Sequence, residues 1–310
     1  MSLVTGLDSA GASWHGGHRM NKVRKAVIPA AGHGTRFLPI SKAVPKEMLP
    51  VVDKPVIQYV VEEAVASGIT DILLIISRGK RAIEEHFIAN PDLENDLDAK
   101  GKAEPLRELR ELMSRARIHF VFQPKMGGLG DAVRCAREHV GDEPFAVLLG
   151  DALVSPANGA KPVLRQLMDV QERHGGSVVA LEEVPQEKVS RYGIMGGAEI
   201  EPGVIKADVF VEKPRSGEAP SRLAVSARYI LTPGIFEELD HTPLGKGGEL
   251  QLTDAMASLM KREPLFGVKY AGRRHDIGNK LDFVKANLWW GLQRPDMAGE
   301  LRKYLHEIGS

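Results

Sequence analysis

Five short apolar runs, at residues 23–30, 72–76, 118–122, 145–149 and 178–181, alternate with segments whose apolar residues fall at helical spacing. The runs at 23–30, 72–76 and 145–149 read as buried strands and those at 118–122 and 178–181 as strands, and strands joined through helices lie parallel. Residues 55–67, PVIQYVVEEAVAS, begin with a proline suited to a first helical turn and stop before Gly68, so they read as a helix. Further helices are expected over 80–87, 131–139 and 162–174, and the charged stretch inside 90–116 reads as a surface excursion. The alternation predicts an α/β fold: a mostly parallel sheet with helices on both faces. Between Tyr192 and Tyr229 the pattern changes to β-type runs broken by Gly and Pro, which predicts an antiparallel excursion over one side of the site. A strand near 265–270 and helices over 233–239, 252–261, 280–290 and 300–308 complete the pattern.

At 310 residues the chain can hold one extended domain, and with no internal repeat or low-complexity linker a single domain over 21–310 is expected. Residues 1–20 are rich in Gly, Ser and Ala and read as a disordered leader, with Met20 a candidate start and His15 and His18 incidental. Basic and acidic residues balance at 41 each, so no global field holds nucleic acid or a membrane surface, and any anion site is local. Cys135 is the single cysteine, which excludes an intrachain disulfide or thiolate zinc cluster and is read as a small core residue. No run approaches the roughly 18 apolar residues of a membrane span, and the N-terminus lacks a signal-peptide core, so a cytoplasmic location is expected.

In open α/β sheets ligands sit beyond the carboxyl ends of the strands, and three segments fall there. After the first strand, Gly32 and Gly34 let backbone N–H groups approach a phosphate, and Arg36 adds a guanidinium. That loop also carries Lys42 and Lys46, and it runs through Pro39, Pro45 and Pro50, too long for a simple turn. It is neither a Walker loop nor a dinucleotide fingerprint. The second segment is FQPKMGGLGDAV, where Gln123 offers a paired amide to a base edge, although a solvated Gln in a glycine loop reads equally well. Asp151 closes the run FAVLLGD, and Asp276 lies in RRHDIGN; the pair would suit Mg²⁺, with helix N-caps as the alternative for each. Glu212 and Lys213 in VFVEKP would point to opposite faces of a strand unless Pro214 bends the chain, and an exposed ion pair is the plain alternative.

PAAGHGTRFLPISKAVPKEMLPVVDKPVIQYVVEEA, GLGDAV, GDEPFAVLLGD, RYGIM, VEKP, GELQLTDA and HDIGNKLDF occur in order between about residue 25 and about residue 290. With these motifs the chain resembles the sugar-phosphate nucleotidylyltransferases, and among them the bacterial UTP:glucose-1-phosphate uridylyltransferases. The resemblance implies a Rossmann-like fold, with a nucleotide-binding part over about 23–151, a sugar-binding part over about 177–280 and C-terminal helices over about 280–308. It implies the reversible formation of UDP-glucose and pyrophosphate from UTP and glucose 1-phosphate, Mg²⁺ as cofactor, and a homo-oligomer, dimer or tetramer. Carried over by residue, Ala30, Ala31, Gly32 and Gly34 would contact the nucleotide through the backbone, and Gln123 and Gly128 the uracil. Arg36 and Lys46 would hold the triphosphate, Asp151 the Mg²⁺ with Asp276 as a second contact, and Gly193, Glu212 and Lys213 the glucose and its phosphate. The chain departs from the family pattern at Gly150, where proline or alanine is expected, at Asp131, where histidine is frequent, and in a short 90–117 segment.

A phosphate nucleophile is already ionised at neutral pH, so positioning and electrostatics would carry such a reaction without a general base. Two other readings stay open on the residues: a related enzyme making dTDP-glucose or another nucleotide sugar, and a non-catalytic sugar-nucleotide-binding regulator.

Overall fold

The computed structural model describes residues 22–215 and 217–309; the leader expected over 1–20, with His15, His18 and Met20, lies outside them. A nine-stranded sheet runs β5-β4-β1-β6-β11-β8-β12-β10-β9. Its first half comprises β1 (Lys25–Pro29), β4 (Asp71–Ile76), β5 (Arg117–Phe122) and β6 (Phe145–Leu148), all mutually parallel where they pair. The unbroken apolar character of these strands has a direct cause. Ala26, Ile28, Ile72 and Leu74 face one core, whereas Val27, Leu73 and Ile75 face another on the opposite side of the same strands. Both faces of β1, β4 and β6 are dry and tolerate no polar alternate residues, whereas the edge strand β5 exposes Arg117, His119 and Phe122.

Helices cover those faces. Helix α1 (Val56–Ala66) buries Val56, Ile57, Val60, Val61, Ala64 and Val65 against the first core, each Val or Ile contributing about 1.5–3 kcal/mol on full burial. The excursion over 90–116 resolves into α3 (Pro91–Ala99) and α4 (Glu104–Arg115), after the short α2 (Arg81–Phe87). The helix expected over 131–139 is two pieces, α5 (Leu129–Arg134) and α6 (Arg137–Val140), covering the second core. Cys135, between them, is half-buried rather than a core residue, and its thiol donates to the Asp131 carbonyl at 3.3 Å.

The second half contains β8 (Ser177–Glu183), β9 (Gly193–Glu201), β10 (Val204–Glu212), β11 (Leu223–Leu231) and β12 (Leu265–Lys269). The excursion does more than flank the site: its last strand, β11, returns to the middle of the sheet, antiparallel to both β6 and β8. Its register slips between Val225 and Tyr229, where Ala227 takes a left-handed φ of 56°. Within this bulge Arg228, 0% exposed, pairs with Glu63 of α1 at 2.7 Å and donates to the Ala152 carbonyl at 2.9 Å. Removing one partner of so buried a pair costs about 3–5 kcal/mol. The bulge carbonyl of Ala227 accepts from Leu149 N–H at 3.1 Å, which fixes the chain immediately ahead of Asp151.

Two short pairings were not legible as strands. Pro50–Val51 (β2) and Lys54–Pro55 (β3) close the long loop after β1, and β7 (Ala152–Pro156) pairs antiparallel with β13 (Gly272–Asp276). The remaining helices are α7 (Val163–His174), α8 (Ile235–His241), α9 (Leu252–Leu259), α10 (Lys280–Gln293) and α11 (Ala298–Gly309). Among the described residues no helix is long and apolar enough to cross a membrane.

Candidate active site

Beyond the carboxyl end of β1, a cavity of about 440 Å³ is lined by Ala31, Gly32, Gly34, Lys46, Gln123, Gly128 and Asp151. The loop that forms its roof is wound into three short 3₁₀ turns, Thr35–Phe37, Ile40–Lys42 and Lys46–Met48, with Pro39 and Pro45 immediately before the second and third. The winding brings Lys46 back beneath the glycines. Gly34 has a φ of 66°, and a Cβ there would stand 3.2 Å from the Lys46 Cβ, so conformation and space both require glycine. Ala30 is buried and its N–H donates to the Ile75 carbonyl at 2.7 Å, so that amide is spent within the sheet and does not reach the cavity.

Alternating charges run inward from the cavity. Lys46 Nζ lies 2.5 Å from Asp151 Oδ2 and 3.9 Å from Glu47, and Glu47 in turn accepts from Lys80 Nζ at 2.6 Å. Glu47 is 1% exposed and Lys80 5%. Burial works against the Lys46 ammonium, but Asp151 and then Glu47 outweigh it and hold its pKa above the ordinary lysine value. Burial likewise opposes the Asp151 carboxylate, and Lys46 and Arg36 overcome it, holding the pKa below the ordinary value. For Glu47, burial dominates and pushes the pKa up despite Lys80. Neither Glu47 nor Lys80 was singled out in the sequence; a buried ion pair 33 residues apart leaves no local pattern.

Asp151 is followed by β7 and therefore caps no helix. Asp276 ends β13, and its register partner is Ala152, so the two carboxylates lie one position apart across an antiparallel pair. Asp276 does not cap α10 either: Asn279 does, accepting from Asp282 N–H, while Asp276 Oδ1 accepts from Gly278 N–H at 2.8 Å. The Arg36 guanidinium reaches the same turn, its Nη2 lying 2.9 Å from where a Gly278 Cβ would be. Arg36 thus spans from the glycine loop to the Gly278 turn. Lys42 parts from Lys46 and lines a broader cleft of about 860 Å³ with His33, Arg78 and Lys80, which adjoins the first cavity at Gln123 and Met126.

Gln123 is held by a residue that sequence reasoning left out of the site. Its Nε2 donates to Asp131 Oδ2 at 2.8 Å and, at 3.4 Å, to the Gly128 carbonyl. A carboxylate only accepts, so this contact fixes which end of the amide is NH₂ and leaves Oε1 as the free acceptor. Gly128, with a φ of 96°, has no room for a Cβ: one would sit 2.8 Å from Glu249 Cβ and 2.9 Å from the Leu250 carbonyl. The 127–130 loop is tied to that segment by Leu250 N–H to Gly127 at 2.7 Å and Gly130 N–H to Leu250 at 2.9 Å.

Glu249 lines the cavity, and the chain continues from it to a second cluster. There Gly193 and Glu212 are register partners, with Thr253 against Gly193. Lys213 takes a φ of 45°, which swings its side chain back so that Nζ meets Glu212 Oε1 at 2.6 Å. The expected opposition of the two side chains is thereby cancelled by the backbone, and Lys213 N–H anchors the turn on the Tyr192 carbonyl at 3.0 Å. Burial and the neighbouring Glu212 push the Asp254 pKa up, a carboxylate that sequence reasoning also passed over.

Residues 25–289 match the Nucleotidyl transferase family. A UTP–glucose-1-phosphate uridylyltransferase of Bacillus subtilis (strain 168) is 48% identical over 289 residues, which is 93% of this chain and 98% of the relative. Among solved structures, a UTP-bound UGPase from Acinetobacter baumannii is 39% identical with a TM-score of 0.84, covering 92% of this chain and 99% of its own. A UDP-glucose pyrophosphorylase complexed with UDP-glucose is 40% identical with a TM-score of 0.80, covering 88% and 100%.

Proposed function

Because the chain belongs to the Nucleotidyl transferase family, and within it to the UTP–glucose-1-phosphate uridylyltransferases, we propose that the cavity under its glycine loop seats UTP and that the Glu212–Lys213 cluster seats glucose 1-phosphate. The chain forms UDP-glucose and pyrophosphate from those two substrates. The observation that carries the site assignment is the charge series of Asp151, Lys46, Glu47 and Lys80, which fixes a protonated lysine under a loop of close-approach glycines.

An oxygen of the sugar phosphate attacks the α-phosphorus in line, the new O–P bond forms, and the bond to the β-phosphate bridging oxygen breaks, releasing pyrophosphate. The nucleophile is already anionic at neutral pH, so no proton has to move for attack. What the chain must supply is the approach of two polyanions and neutralisation of the leaving charge. Lys46, held protonated by Asp151 and Glu47, faces Gly32 and offers a fixed ammonium to the triphosphate, and Arg36 adds a second cation from the loop's outer side. Lys213 offers an ammonium to the sugar phosphate, while Glu212 and Asp254 accept from sugar hydroxyls. Gln123 Oε1, left free by the Asp131 contact, accepts the N3–H of uracil.

Asp151, in the turn before β7 and lining the cavity, and Asp276, at the end of β13 opposite Ala152, are hard oxygen donors of the kind Mg²⁺ takes when substrate phosphates and water complete its shell. Mg²⁺, when bound, offsets charge on the triphosphate. A homo-oligomer is consistent with the exposed apolar residues Leu281, Val284, Tyr304 and Ile308 on the last two helices, and sedimentation of the full chain tests it. Initial rates with a panel of nucleoside triphosphates and glucose 1-phosphate test the assignment. UTP is expected to be preferred; a preference for dTTP would overturn the reading of the base site, and no pyrophosphate release with any triphosphate would point to a non-catalytic binder.

A further inference from the structure

At the opposite end of the sheet from the cavity, three metal-ligating side chains converge. Asp71 opens β4, His119 lies on β5, and His139 is the penultimate residue of α6. The convergence follows from the pleat. Asp71 pairs with Arg117 and Leu73 with His119, so Asp71 and His119 share the sheet face that α6 covers, and Val140 anchors that helix in the second core. Lys25 Nζ donates to the His139 and Val140 carbonyls at 3.2 and 2.9 Å, holding the helix end in place.

The His139 and His119 Nε2 atoms lie 2.8 and 3.6 Å from the same Asp71 oxygen, Oδ1, and one ligand atom from each residue fits within 4.8 Å of the others. Ligand atoms around a tetrahedral ion with bonds near 2.05 Å are separated by about 3.4 Å, a value those two distances bracket. Two imidazoles and one carboxylate are a borderline donor set, suited to Zn²⁺ or Co²⁺ rather than to Mg²⁺. The other charges near the cluster are compatible with a cation. Arg117 lies 3.8 Å from Asp71 Oδ2 but is 77% exposed and free to swing outward, and Lys25 is engaged with carbonyls and with Glu143 at 3.7 Å.

We propose that Asp71, His119 and His139 form a binding site for a borderline transition-metal ion such as Zn²⁺, separate from the catalytic centre, that ties β4, β5 and α6 together. Asp71 and the active-site end of β4 are separated by roughly 16 Å of strand, so the ion would act on stability and not on turnover.

The test is titration of the full chain with Zn²⁺ by calorimetry, and with Co²⁺ by visible absorption, in saturating Mg²⁺ to occupy the acidic site. The wild type is expected to bind one Zn²⁺ at micromolar or tighter affinity, to give the intense visible bands of four-coordinate Co²⁺, and to melt a few degrees higher with metal. His119→Ala/His139→Ala should weaken that site roughly 100-fold or more while UDP-glucose synthesis stays at the wild-type rate. His15 and His18 are present in both proteins, so binding that survives in the variant belongs to them or to other sites and overturns the proposal. Absence of a site tighter than about 100 μM in the wild type overturns it equally. If the double variant fails to fold, His119→Ala alone, at a half-exposed strand position, must produce the same loss of the Co²⁺ spectrum.

Discussion

The two halves of the site are held in different ways. On the nucleotide side Lys46, Glu47 and Gln123 are each locked by another side chain: Lys46 by Asp151 and Glu47, Glu47 by Lys80, Gln123 by Asp131. On the sugar side the backbone does most of the holding, through the left-handed turn at Lys213 and the register pairing of Gly193 with Glu212, and the one side-chain lock, Lys213 on Glu212 at 2.6 Å, leaves Lys213 40% exposed. Buried charges that neutralise one another can stay fixed before substrate arrives, whereas an exposed ammonium on a fixed backbone can follow its ligand. The nucleotide half is therefore preorganised for charge, and the sugar half for position.

Asp151→Asn is the sharpest way to break this contrast. The amide keeps the shape but removes the charge that holds Lys46 and, in the proposed site, a ligand for Mg²⁺, so kcat should fall about 1,000-fold or more, with an unchanged circular dichroism spectrum. Near-normal turnover would mean that the series of paired charges is only structural. Lys213→Ala tests the other half. It should raise the KM for glucose 1-phosphate on the order of 100-fold and move kcat much less, because in the proposed site the lost ammonium binds the sugar phosphate, whose negative charge is greatest before attack and falls as the new O–P bond forms. A fall in kcat as deep as that of Asp151→Asn would erase the distinction between the halves.

The same contrast governs what could be read from the sequence. Strands buried on both faces announce themselves as apolar runs, so β1, β4 and β6 and the glycine loop beyond them were legible, as was the convergence of Asp151 and Gln123 on one end of the sheet. The Glu47–Lys80 and Glu63–Arg228 pairs were not, because partners 33 and 165 residues apart meet only through tertiary packing. The sequence offered a bend at Pro214 only as the exception to opposed side chains, because the sign of the turn at Lys213, which decides whether two adjacent side chains meet or diverge, depends on a dihedral angle and not on residue type. β13 escaped notice because Arg273, Arg274 and His275 break any apolar pattern, although its pairing with β7 sets Asp276 opposite Ala152, the residue after Asp151.

That seam between the halves carries its own signature. His275 is 8% exposed, packs edgewise on Trp290 and tilts against Trp289, and its Nε2 is buried without a partner. Burial, helped by Arg273, pushes its pKa down to about 4. The unfolded chain then binds a proton that the folded chain refuses between about pH 6.5 and pH 4, so stability rises with pH across that window and is lost as pH falls through it. Between pH 7 and pH 5 the loss amounts to about 2 kcal/mol from this residue. In His275→Phe, which keeps an aromatic ring between the tryptophans, urea unfolding at pH 5 should show that increment recovered relative to pH 7. An unchanged pH slope would mean that the imidazole can protonate where it sits.

The smallest effect asks how far side-chain locking extends into base recognition. Asp131 has no direct view of the substrate in this reading, and its Oδ1 is already engaged by Arg134 at 2.7 Å. Its Oδ2 nonetheless decides which end of the Gln123 amide faces the cavity. Uracil presents a donor at N3 and cytosine an acceptor there, so the amide orientation separates the two bases. Asp131→Ala frees the amide to turn, which should raise the KM for UTP about 10-fold, the value of one charge-assisted hydrogen bond, and leave the KM for glucose 1-phosphate in place. The ratio of kcat/KM for UTP over CTP should fall by a similar factor, because the turned amide offers cytosine a donor. Asp131→Asn cannot distinguish the two amide ends as a carboxylate does and should lose part of the same selectivity. If both variants keep the wild-type ratio, Gln123 is oriented by the Gly128 carbonyl, and the nucleotide half holds its base reader by the backbone, as the sugar half holds Lys213.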